Sequence, residues 1–121
     1  MENKNEVKGL WGGDLRIPTF IQINFKKMSD PAEGFMLIGS ILDLGIVGVK
    51  LETEVQIVQG ENLLLRIPLS FLPRDYSFTG TVRWVNKTAT EFVAGVELLM
   101  NDKKIHEIMK KNIKKMMKSM L

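Results

Sequence analysis

The sequence has no cysteine and only one histidine, one tyrosine and four prolines. Without thiols there is no disulfide framework, thiol nucleophile, iron–sulfur cluster or cysteine zinc site. With His106 alone, a multi-histidine metal centre is excluded, as is a Ser-His-Asp triad needing a second functional histidine. Long apolar runs are missing too. The longest, Phe35 to Val49, is interrupted by Gly39, Ser40, Asp43, Gly45 and Gly48, and is too short to span a bilayer. Met1-Glu2-Asn3-Lys4-Asn5-Glu6 is polar and has none of the apolar stretch of a secretory signal. The expectation is a soluble intracellular chain. No P-loop, Gly-x-Gly-x-x-Gly, His-Glu-x-x-His or Gly-x-Ser-x-Gly occurs, and nothing singles out a working pair among the fourteen acids. Neither an enzyme nor a resident cofactor is expected.

What is present suits one compact domain: 121 residues, 45% hydrophobic and 26% charged. The net charge of +3 hides an asymmetry. Residues 102 to 121 carry seven lysines against Asp102 and Glu107, a balance of +5, so the first 101 residues sum to −2. Basicity belongs to the tail, which argues against reading the whole chain as a nucleic-acid binder.

The pattern from Arg16 to Leu99 is β-like. Ile17, Thr19, Ile21, Ile23 and Phe25 alternate with Gln22 and Asn24, as in a half-buried strand. Lys26 to Gly34 has the turn chemistry of a loop around Ser29-Asp30-Pro31. Phe35 to Leu42 is a second run, and Gly45 and Gly48 break the pattern before alternation resumes at Val49 to Val55. Leu63 to Leu69, Phe78 to Val85 and Phe92 to Leu99 complete the set. Short strands at this spacing predict an antiparallel barrel or sandwich. The tail then turns helical. Asn101-Asp102 can cap its start, and Ile105, Ile108, Met109, Ile113, Met116, Met117 and Met120 recur every three or four residues, with lysines opposite.

Two segments draw attention. In Leu10-Trp11-Gly12-Gly13-Asp14-Leu15-Arg16, the glycines allow close approach of a ligand, Trp11 offers a stacking face and Arg16 a planar fork for phosphate or guanine. The plainer alternative is that Trp11 plugs one end of a barrel. In Ile41 to Val49, Asp43 stands among apolar residues and needs hydrogen-bond donors. The nearby glycines suggest positive φ or a tight corner, and a turn-forming carboxylate is the plainer reading of Asp43.

These segments, followed by this β pattern, resemble a PilZ domain. Leu63 to Leu69 resembles the family's apolar middle strand, Gly80-Thr81-Val82-Arg83-Trp84 its Gly-x-Val-x-Trp strand, and Gly95-Val96-Glu97-Leu98 its final strand. The resemblance covers residues 12 to 100. It implies a mainly β fold, a six-stranded antiparallel barrel followed by an amphipathic α-helix, and a bacterial receptor class for cyclic di-GMP. The expected organisation is an N-terminal ligand-switch segment over 1–15, the barrel over 16–100 and the helix over 101–121.

The family's ligand motifs are incomplete. Of Arg-x-x-x-Arg, Arg16 matches the second arginine, and Gly12 stands at the first. Of Asp/Asn-x-Ser-x-x-Gly, Asp43 and Gly48 match, and Gly45 stands at the serine. A lost arginine fork costs about 2–3 kcal/mol and a lost hydroxyl about 1 more. Together these lower affinity roughly a hundred- to a thousand-fold. The resemblance therefore implies a non-catalytic signalling or adaptor domain with weak or lost ligand binding, acting through protein contacts. The alternative is a working receptor using Arg16, Asp43, Gly48 and Trp11. For the helix, one reading packs its apolar face on the barrel. Another offers Met109, Ile113, Met116, Met117 and Met120 to a protein partner or to a second copy. An anionic membrane surface is a third, weakened by the lack of Trp or Phe in the helix.

Overall fold

The computed structural model describes residues 16–31 and 34–120. The strands are β1 (Arg16–Lys27), β2 (Leu37–Gly45), β3 (Gly48–Thr53), β4 (Asn62–Arg66), β5 (Phe78–Lys87) and β6 (Phe92–Leu98), and one helix follows, α1 (Lys103–Ser119). The strands close into a barrel in the order β1-β2-β3-β6-β5-β4, with every pairing antiparallel. This is the expected six-stranded barrel with a terminal helix. Its strand ends differ from the sequence runs by one to three residues at most ends, and two of the differences have a clear cause. β1 runs on to Lys27, because Lys26 and Lys27 find ladder partners in Leu64 and Leu63. β4 stops at Arg66, before Pro68, which has no N–H to donate to a ladder.

Inward-facing residues alternate along each strand and meet in one core, including Ile23, Phe25, Ile41, Leu51, Leu63, Leu65, Phe78, Val82 and Val96. The register shifts at three places, between Pro18 and Ile21 in β1, Ile41 and Asp43 in β2, and Val82 and Trp84 in β5, and the last two interrupt the alternation. At each of those two, two successive residues face outward, Leu42-Asp43 and Arg83-Trp84. These bulges decide what the outer face carries. Strict alternation from Ile41 would point Asp43 into an apolar core, where an unpaired carboxylate is expensive.

Helix α1 starts as its sequence predicts. Asp102 is the N-cap, its carboxylate accepting from the N–H groups of Lys104 (2.9 Å) and Ile105 (3.4 Å). Ile105, Met109, Asn112 and Ile113 form its buried face. Two residues of the anticipated partner face are thereby reassigned: Met109 and Ile113 lie in the barrel's own core, because the apolar stripe satisfies the burial requirement at home. Met116 is half-buried against that core, and only Met117 and Met120 are exposed.

Asn112 is the polar exception on the buried face. Its Oδ1 accepts from the Ser70 N–H (3.0 Å), and its Nδ2 donates to the Ser70 carbonyl (2.9 Å) and to the Ile108 carbonyl (2.9 Å). The helix thus clasps the β4–β5 connection by both polar groups of one residue. The next residue, Phe71, is exposed and holds φ of 70°, a region that costs a bulky side chain about 1–3 kcal/mol.

Candidate ligand-binding face

Arg16 and Asp43, 27 residues apart in sequence, meet where β1 leaves its first residue beside the end of β2. Arg16 Nε donates to Asp43 Oδ1 at 3.1 Å, and both side chains are mostly shielded from solvent. Arg16 is the ladder partner of Gly45. A Cβ at Gly45 would lie 2.7 Å from Arg16 Nη1 and 3.1 Å from its Cγ, so the arginine occupies the space that a side chain there would need. Neither Gly45 nor Gly48 has positive φ, contrary to one expectation. Gly45 serves close approach of a side chain, and Gly48 is an ordinary ladder position opposite Glu97. Trp11 and Gly12 lie outside the described residues.

The outer face next to Asp43 holds two residues that the sequence pattern did not single out for ligand binding. Asp43 pairs with Lys50, Lys50 with Gly95, and Gly95 with Trp84, so one row crosses β2, β3, β6 and β5. Paired residues of antiparallel strands share a face. The Trp84 indole lies over Gly95 so closely that any Cβ there would collide with it. The row therefore presents a carboxylate, an ammonium and a partly exposed indole in line, with Arg16 at one end. The missing signal was register: Lys50 and Trp84 are 34 positions apart and join only through the β5 bulge.

A second concavity, about 400 Å³, lies between the outer ends of β2 and β3 and the β5–β6 connection. Its walls include Met36, Ile38, Glu52, Glu54 and Glu91. Hydrogen bonding to Glu52 raises the Glu91 pKa above the usual carboxylate value, with Glu52 and Glu54 repulsion adding to it. Among the described residues, no group of three or more His, Cys, Asp or Glu could hold a metal ion, and no helix is long and apolar enough to cross a membrane.

The chain is thus a closed antiparallel six-strand barrel with a terminal helix and an Arg–Asp pair where β1 begins beside the end of β2. The family model for the PilZ domain matches residues 15–114, and the chain belongs to that family. Among solved structures, it is similar to the Bacillus subtilis inhibitor of motility MotI/DgrA, with a TM-score of 0.64 at 11% identity. The match covers 87% of this chain and 51% of that one, so this chain spans about half the length of that neighbour. No curated protein matches the sequence.

Proposed function

We propose that this chain is a non-catalytic signalling domain of the cyclic di-GMP receptor family, in which ligand binding is weak or lost and protein contacts carry the signal. The observation behind this reading is the Arg16–Gly45–Asp43 arrangement. Two groups of the ligand motif are engaged with each other, and the arginine lies in the space of the missing serine side chain. A dinucleotide phosphate would have to draw the guanidinium away from Asp43 without help from a second arginine at position 12.

A second reading is a working receptor, and the row of Asp43, Lys50 and Trp84 favours it. An ammonium could take a phosphate in place of the absent fork, and the indole could stack on a guanine. Calorimetric titration of cyclic di-GMP into the wild type and Arg16→Ala separates the two. The leading reading expects no heat below near-millimolar ligand in either protein. Low-micromolar binding that Arg16→Ala abolishes would establish the receptor instead.

A further inference from the structure

The chain has four arginines against thirteen lysines, so a planar fork is the exception among its cations. Two of the four are spent in ion pairs, Arg16 with Asp43 and Arg83 with Glu97. The other two, Arg66 and Arg74, take part in no ion pair among the described residues, and both line one cleft of about 210 Å³. Gln22 and Asn24 of β1 complete its polar wall, and among the described residues no Asp or Glu lines it. Arg66 stacks on Phe35 with its guanidinium carbon 3.9 Å from the ring centroid. Stacking fixes the plane of the fork while its in-plane N–H groups stay available to an acceptor.

The cleft does not end there. Arg74 and Pro68 also wall an adjoining concavity of about 360 Å³, otherwise lined by Leu69, Ser70, Leu72 and Pro73. One trough therefore has a cationic end, an apolar end and Arg74 at the join. Its floor is held by the Asn112 clasp on Ser70. Because the barrel is closed, no strand edge is open to pair with an incoming chain, so recognition here falls to side chains.

We infer that this trough docks an extended acidic segment of a partner protein, with an apolar residue beside its carboxylates. Charge complementarity selects the carboxylates: the trough gathers two cations that have no ion pair among the described residues, in a chain whose first 101 residues carry a net −2. The apolar end selects a peptide over a free small anion, which would leave it empty. The inference rests on the protein-contact reading and gives it a surface away from Arg16 and Asp43.

The test is a heteronuclear NMR titration of the full chain with a synthetic peptide of repeated Glu-Glu-Leu triplets, with pyrophosphate as a separate arm. The peptide is expected to shift resonances of residues 22–24 and 66–75, and Arg66→Glu with Arg74→Glu to weaken it by roughly tenfold or more. The milder Arg66→Gln with Arg74→Gln variant, whose remote resonances report an intact fold, should weaken it in the same direction. Shifts confined to the lysines of α1 would overturn this surface and leave the protein-contact reading standing. Equal shifts from pyrophosphate would overturn it in favour of a small-anion site. Silence toward the peptide together with low-micromolar cyclic di-GMP binding would overturn both readings.

Discussion

Gly45 illustrates how a missing side chain can be part of a site. Its bare backbone gives Arg16 room to lie flat and reach Asp43. Gly45→Ser alone should therefore push the guanidinium aside without creating a binding site, and calorimetry should still find no cyclic di-GMP binding below near-millimolar ligand. Gly12→Arg with Gly45→Ser should restore the second fork and the hydroxyl together, tightening binding by roughly a hundred- to a thousand-fold. An unchanged affinity in the double variant would show that the losses at these positions are not what limits binding. The same scale governs the acidic concavity. Glu91 holds its proton more tightly when folded, so its contribution to stability is full below the unfolded carboxylate pKa and is lost as pH rises through the raised folded value. Glu91→Gln should accordingly raise the melting temperature at neutral pH, and the gain should shrink as pH is lowered toward 4.5, the unperturbed value. A pH-independent effect would mean that Glu52 and Glu91 do not interact.

At the scale of elements, the clasp between α1 and the β4–β5 connection is a local device with a measurable worth. Asn112→Ala removes both bonds to Ser70 and leaves its N–H and carbonyl to find other partners, which should cost about 2–3 kcal/mol in denaturant unfolding. A cost under about 0.5 kcal/mol, typical of a surface site, would show that the clasp contributes little. Elements were the most legible part of this chain. The run from Ile17 to Phe25 reads as a strand from alternation alone, and Asn101-Asp102 reads as a cap before the helical stripe, of which the structure uses Asp102. Asn112 was hidden because a single amide on an apolar stripe looks like a flaw until the carbonyl and N–H it satisfies are known. The bulges at Leu42 and Arg83 were hidden for a related reason. A bulge changes which face a residue takes without changing the composition of its strand, so Asp43 and Trp84 could be named but not aimed. Arg16 and Asp43 were legible as candidates, whereas the ion pair between them follows from register.

Taken as a whole molecule, barrel and helix share one hydrophobic core, although their charge patterns differ sharply. Ile105, Met109 and Ile113 are buried in it, each contributing about 1.5–3 kcal/mol. Removing residues 102 to 121 would uncover that core, so a truncation cannot isolate the role of the lysine face. Met109→Ala should cost about 2–5 kcal/mol, and Met117→Ala should be close to neutral for stability. If thermal or denaturant unfolding instead showed the two to be equivalent, the helix would not be docked as described. Partner effects of the helix are better sought through Met117 and Met120, which leave the core intact.

The crowding of Arg16 against Gly45 also constrains descent. A lineage acquiring a serine at position 45 first would disturb an ion pair at the mouth of the barrel before any ligand could compensate, whereas one acquiring an arginine at position 12 first would add a cation in advance of its use. The order of the two replacements is thus not symmetric. The serine is the more obstructed of the two steps, and a related chain with arginine at 12 and glycine at 45 is the intermediate this geometry favours over its converse.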